Sequence, residues 1–112
     1  MPFPYYAVSM NGVPIRLTEE RWFHVTKHHP DLRKYHGLVL KAITRPSHIF
    51  VSARTRDLAA VAEFSELVKL GLAPKFVVHY REISDGDGFM VTAFPISERR
   101  MWRKFHRWRR LR

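Results

Sequence analysis

Two apolar runs joined by a glycine–aspartate turn constrain this chain more than any other feature. Lys75-Phe-Val-Val-His-Tyr-Arg-Glu-Ile83 and Phe89-Met-Val-Thr-Ala-Phe94 flank Ser84-Asp-Gly-Asp-Gly88. β-branched and aromatic residues bounded by Gly and Asp predict an antiparallel hairpin. Side chains alternate along a strand. Phe76, Val78 and Tyr80 therefore point one way, and Val77, His79 and Arg81 the other. In the second run Phe89, Val91 and Ala93 oppose Met90, Thr92 and Phe94. Asp85-Gly-Asp87 lacks the ligand run of a calcium loop and reads as a plain turn.

A second hairpin is predicted over residues 3–17, where Asn11-Gly12 suits a type I′ turn. Pro14 would limit its second strand to an edge or a short pairing. Thr18 can cap a helix running to His28, with Glu19 and Glu20 in its first turn and Pro30 beyond its end. A further helix is expected over roughly Arg33 to Thr44, and a short strand over His48–Ser52. Residues 55–74 read two ways. They have high helix propensity and Gly71 as an end signal, yet Leu58, Ala60, Ala62 and Phe64 alternate as a strand would. After Pro95, Ser97 can cap a helix to about Leu111, with Met101, Phe105 and Trp108 in an apolar stripe. The fold class expected is α+β: an N-terminal hairpin and helices on a small antiparallel sheet, ending in a basic amphipathic helix. One domain over 1–96 would carry residues 97–112 as its own last helix or as an appendage.

Three of the seven histidines fall within Arg21–Pro30. At about 100° per residue, Trp22, Val25, Thr26 and His29 share one face of the helix, and His24 and His28 the opposite side with Phe23 between. The i,i+4 pair His24–His28 has metal-ligand spacing, but no third ligand stands at useful spacing. The expectation is therefore no metal and no cofactor. For any one of these histidines, core packing or solvation at a helix end is the stronger reading.

The formal net charge is +10, and it is uneven. Residues 1–96 carry 12 Lys/Arg against 9 Asp/Glu, whereas residues 97–112 carry 8 against 1. Such a field draws nucleic acid, anionic membrane or an acidic protein. The absence of cysteine excludes disulfides and thiolate metal sites and fits a reducing, cytoplasmic setting. No apolar run approaches the length of a membrane span. Contact of the tail helix with a membrane surface is the weaker alternative to nucleic acid.

Several strings occur in an order that resembles the phage-associated branch of the barnase–EndoU–colicin–RelE-like (BECR) nuclease superfamily. They are Arg16-Leu17-Thr18, Trp22, His24-Val25, His29-Pro30-Asp31, Pro46 before Ile49-Phe50-Val51, Phe76-Val77-Val78, Gly88 and Thr92-Ala93-Phe94. The resemblance covers about residues 13–96. The stretch 55–74 and the Arg/Trp-rich tail depart from it. It implies helices packed on a small antiparallel sheet, metal-independent RNA cleavage, and in many relatives a restraining partner, here an acidic inhibitor. It also implies His24, His29 and Thr92 as catalytic residues.

Cleavage of that kind uses the ribose 2′-OH as nucleophile. It requires a base, an acid for the leaving 5′-oxygen, and cations for the phosphorane. Histidine suits the proton transfers and arginine the phosphate. Spacing suggests Arg54, Arg56 and Arg81 at the phosphate, with Arg81 and Thr92 on one face if the register allows. Arg99, Arg103, Arg107 and Arg110 would extend the nucleic-acid contact along the tail helix. Two alternatives stand beside the ribonuclease: a domain that binds RNA or DNA without cutting it, and an assembly module using the tail's apolar stripe.

Overall fold

The computed structural model describes residues 3–112. The elements are β1 (Tyr5–Val8), β2 (Pro14–Leu17), α1 (Glu19–His28), a 3₁₀ turn (Pro30–Leu32), α2 (His36–Thr44), β3 (His48–Val51), β4 (Leu58–Glu63), α3 (Ser65–Lys69), β5 (Lys75–Ser84), β6 (Asp87–Ile96), α4 (Glu98–Lys104) and β7 (Arg109–Arg110). This is the α+β class the patterning predicts. The strands form one sheet in the order β1-β2-β6-β5-β4-β3-β7. β2 and β6 run parallel, through Ile15↔Gly88 and Arg16↔Phe89. The other neighbours are antiparallel.

The β5–β6 hairpin stands at the centre, and both of its faces are covered in part. On the inner face Phe76, Val78, Tyr80 and Met90 pack with Trp22 and Val25 of α1 and Leu38, Val39 and Ile43 of α2. On the outer face Val77 and Ile96 join Phe50, Ala59 and Val61 beneath Met101 and Phe105. β4 lies between these clusters, which resolves the two readings of residues 55–74. A strand buried on both sides becomes a continuous apolar run and loses its alternation. Leu58–Glu63 is that strand, and the helical signal belongs only to Ser65–Lys69. Gly71 follows with φ 78°, a left-handed conformation that glycine adopts freely.

Both cap assignments hold. Thr18 Oγ1 accepts from Arg21 N at 3.2 Å, and Ser97 Oγ from Arg100 N at 3.3 Å. Gly12, in the turn of the first hairpin, has φ 80°. Four expectations need correction. The type I′ turn expected at Asn11-Gly12 does not form, because Asn11 keeps a negative φ and Gly12 N donates to Ser9 O at 2.9 Å; Pro14, as expected, leaves β2 only a short pairing with β6, from Ile15 to Arg16. The second helix begins at His36, not Arg33. Pro30 opens a 3₁₀ turn instead, whose following residue Arg33 accepts from Trp22 Nε1 at 3.1 Å. The strict alternation expected in β6 fails at Val91. His79 pairs with Thr92 while Tyr80 pairs with Met90, so Val91 is the extra residue of a bulge.

The tail is the fourth correction. The helix expected to reach Leu111 stops at Lys104. Phe105 is buried on the outer face, the chain turns through Trp108, and β7 pairs with the edge of β3 through Phe50↔Arg110 and Val51↔Arg109. An open strand edge offers backbone hydrogen bonds that a solvated helix end lacks. The apolar stripe is therefore spent on the chain's own sheet, which removes the motive for an assembly interface there. It leaves no long amphipathic helix to lie on a membrane. Lys75, buried beside Glu63 and Glu98 at 3.3 and 3.4 Å, ties the start of α4 to β4 and β5.

Candidate functional site

The outer face of β5 and β6 runs past the edge of α4 and gathers several polar groups. Residues paired across antiparallel strands point to the same side. His79 pairs with Thr92, and Arg81 with Phe89. The bulge at Val91 is what puts Phe89, Thr92 and Phe94 on this one face. Arg81 and Thr92 thus share it, as the register condition required. The Arg81 guanidinium lies 5.8 Å from the centre of the Phe89 ring. It also donates to both oxygens of Asp57, at 2.6 and 3.2 Å. That contact holds the Asp57 carboxyl below its ordinary range.

His79 is half-buried among the rings of Phe94, Phe105 and Trp108, with centroids 5.7, 5.9 and 5.7 Å away. Burial pushes its imidazole down to about 4; the Lys104 ammonium adds to this, and Asp57 opposes it. At neutral pH it is an uncharged ring that can donate one hydrogen bond and accept another.

The loop from Ser52 to Asp57 flanks this face. Ser52 Oγ accepts from the backbone N–H of Arg54 and of Thr55, both at 3.3 Å. Ser52 N donates to Asp57 O at 2.9 Å. Arg56 takes φ 64°, a conformation that costs energy for a residue with a Cβ. The loop so held exposes Arg54 and Arg56. Arg54 lines a cavity with Lys104 and Arg107, and Arg56 lines another with Arg109.

On the other flank, α1 packs against β6. Arg21 donates through Nε and Nη2 to Val91 O at 2.9 and 2.6 Å. His24 and His28 stand three and seven residues on, along the stripe that Arg21 sends to β6. Both are exposed, with ring centres 5.8 Å apart. His29 is not their partner. It caps the helix, is half-buried, and belongs to the side of Trp22, Val25 and Thr26, all three of which are buried.

The expected residues therefore divide. Arg81 and Thr92 come together, with Arg54 and Arg56 at their flank. His24 stays with α1, which packs on the inner face, and His29 turns to another side of that helix. Arg99 and Arg103 lie exposed on α4. Arg107 and Arg110 do not continue their face, because the helix has ended. Arg110 instead places its guanidinium 5.6 Å over the Trp102 ring. No local signal places Asp57, Phe89, Lys104 or Trp108 on this face, whereas the alternation of His79 with Arg81 is legible in the sequence. Among the described residues, no group of three or more His, Asp or Glu is arranged to hold a metal ion, and no helix is long and apolar enough to cross a membrane.

No protein-family model matches the chain, and no curated protein or solved structure matches it. The fold is α+β.

Proposed function

We propose that this chain is a metal-independent ribonuclease working on the outer face of β5 and β6. The observation that carries the reading is the register His79↔Thr92 and Arg81↔Phe89, which sets a cation, a hydroxyl, an imidazole and an aromatic ring side by side. The resemblance to the BECR nucleases, which covers these strands, supports it. Arg81 and the Thr92 hydroxyl hold non-bridging oxygens of the scissile phosphate. Phe89 receives a base by stacking. The ribose 2′-OH attacks the phosphorus and its proton passes to a histidine. The P–O5′ bond breaks, the 5′-oxygen takes a proton, and a 2′,3′-cyclic phosphate remains. His79, held neutral on the same face as Thr92, takes this proton and returns it to the 5′-oxygen; His24 stands on α1, which packs on the inner face.

A second reading is favoured by one observation. His24 and His29 stand on different sides of α1, so the pair implied by the resemblance is not assembled. A domain that binds RNA without cleaving it fits that separation.

The deciding experiment incubates mixed-sequence RNA with pure protein in excess EDTA, beside Arg81→Ala, Thr92→Val, His79→Gln and His24→Ala variants. Cleavage leaving cyclic phosphate ends, reduced about a hundredfold or more by Arg81→Ala, supports the ribonuclease. Intact RNA together with salt-sensitive binding that Arg81→Ala weakens moves the assignment to the binding domain.

A further inference from the structure

Between the Ser52–Asp57 loop and the last turn of the chain lies a cavity of about 370 Å³. Ser52, Arg54, Lys104, His106, Arg107 and Trp108 line it. No carboxylate does. Among the described residues, Arg54, Lys104 and Arg107 form no ion pair, whereas Arg16, Lys75 and Arg81 all do. Cations facing one concavity without a counter-charge raise its potential and favour an anion inside it. The volume falls in the range of small-ligand pockets.

The cavity also has an aromatic wall. Trp108 stands edge-on to Phe105, with ring centres 4.9 Å apart, and its ring lies 5.7 Å from that of His79. One indole thus borders both the cavity and the face carrying Arg81 and Thr92. The loop supplying Arg54 is fixed by its Ser52 hydrogen bonds. The other wall depends on the turn at Phe105–Trp108, since a helix continued to Leu111 would carry Arg107 away. A cluster of cations beside an indole suits a phosphate with its attached base: guanidinium groups take the phosphate oxygens, and the ring stacks on the base.

We propose that this cavity is the subsite for one nucleotide of single-stranded RNA next to the bond cleaved at Arg81 and Thr92. The inference rests on the ribonuclease reading for its position, but it is tested by binding alone. The probe is a fluorescein-labelled single-stranded 2′-deoxy oligonucleotide, which has no 2′-OH and cannot be cut by transesterification. Its affinity is measured by anisotropy over a range of salt. The variants are Arg54→Gln/Arg107→Gln, Trp108→Phe, and a control of equal charge loss, Lys34→Gln/Lys69→Gln, at exposed positions outside the cavity. The cavity pair is expected to weaken binding about tenfold or more and to flatten the dependence on log salt by about one. Trp108→Phe is expected to weaken it severalfold with the salt dependence unchanged. The control pair is expected to change affinity less than about threefold. Equal weakening by the cavity and control pairs would overturn the subsite, since only net charge would then matter. So would an absence of binding by the wild-type protein. The expected binding pattern alongside intact RNA would leave the subsite standing and remove the cleavage reading.

Discussion

The Arg81 guanidinium on β5 is held against Asp57, the residue just before β4, with Nε 2.6 Å from Oδ1. A residue proposed to hold phosphate is thus already paired with a carboxylate in the free protein. The pair is solvent-reached, with the Arg81 side chain 48% exposed, so a phosphodiester can displace Asp57 without burying an unpaired charge. Asp57→Asn is expected to tighten RNA binding about two- to fivefold, the range an exposed ion pair withholds. Titration of a non-cleavable oligonucleotide checks it; unchanged or weaker affinity would place Asp57 among the groups that position Arg81.

Arg21 is the polar clamp between α1 and β6, giving two donors to one carbonyl. Removing it leaves Val91 O with no charged partner and loosens the helix that carries His24. Arg21→Ala is expected to cost about 1.5 kcal/mol or more in urea unfolding. Arg21→Lys is expected to recover part of this, because an ammonium cannot reproduce the planar fork. If cleavage in the Ala variant falls no further than the loss of folded protein explains, α1 has no positioning role.

Gly88 sits where β2 meets β6. A Cβ there would lie 2.6 Å from Arg81 O and 2.6 Å from Ile15 Cδ1. The carbonyl is backbone and cannot step aside. Gly88→Ala is expected to destabilise the fold by about 1–3 kcal/mol, as overpacking does. Chemical denaturation reads the loss, and a variant as stable as wild type would mean that β2 and β6 can part there at little cost.

His79 gives a pH signature. Its imidazole ordinarily titrates near 6.5, and in the fold near 4. Between these values the unfolded chain binds more protons than the folded one, so stability rises with pH. The neutral ring's contribution is complete above about 6.5 and is lost as pH falls toward 4, an effect on the order of 3 kcal/mol. His79→Gln is expected to flatten the stability–pH curve in that window. An unaltered curve would show that His79 titrates as a solvated histidine.

Much of the site was within reach of the linear sequence, and part of it was not. The alternation of Val77, His79 and Arg81 gave their common face directly. Whether Thr92 joined them depended on one extra residue, Val91, and no local rule announces a bulge. The resemblance links His24 with His29, whereas helical spacing puts them on different sides of α1, and the structure keeps them there. The helical stripe expected to carry Arg107 ends three residues before it, at Lys104. Arg107 reaches Arg54 only because the chain turns.

The sequence by itself determined what depends on neighbouring residues. Asn11-Gly12 and Ser84–Gly88 made hairpins, Thr18 and Ser97 started helices, and Gly71 ended one. Turn dihedrals and capping hydrogen bonds are satisfied within a few residues. The tertiary structure decided what depends on distant partners. β4 became a strand because both of its faces are covered, and the tail became a strand because β3 had a free edge. Burial and edge pairing are set by groups tens of residues away, and their free energy outweighs local helix propensity.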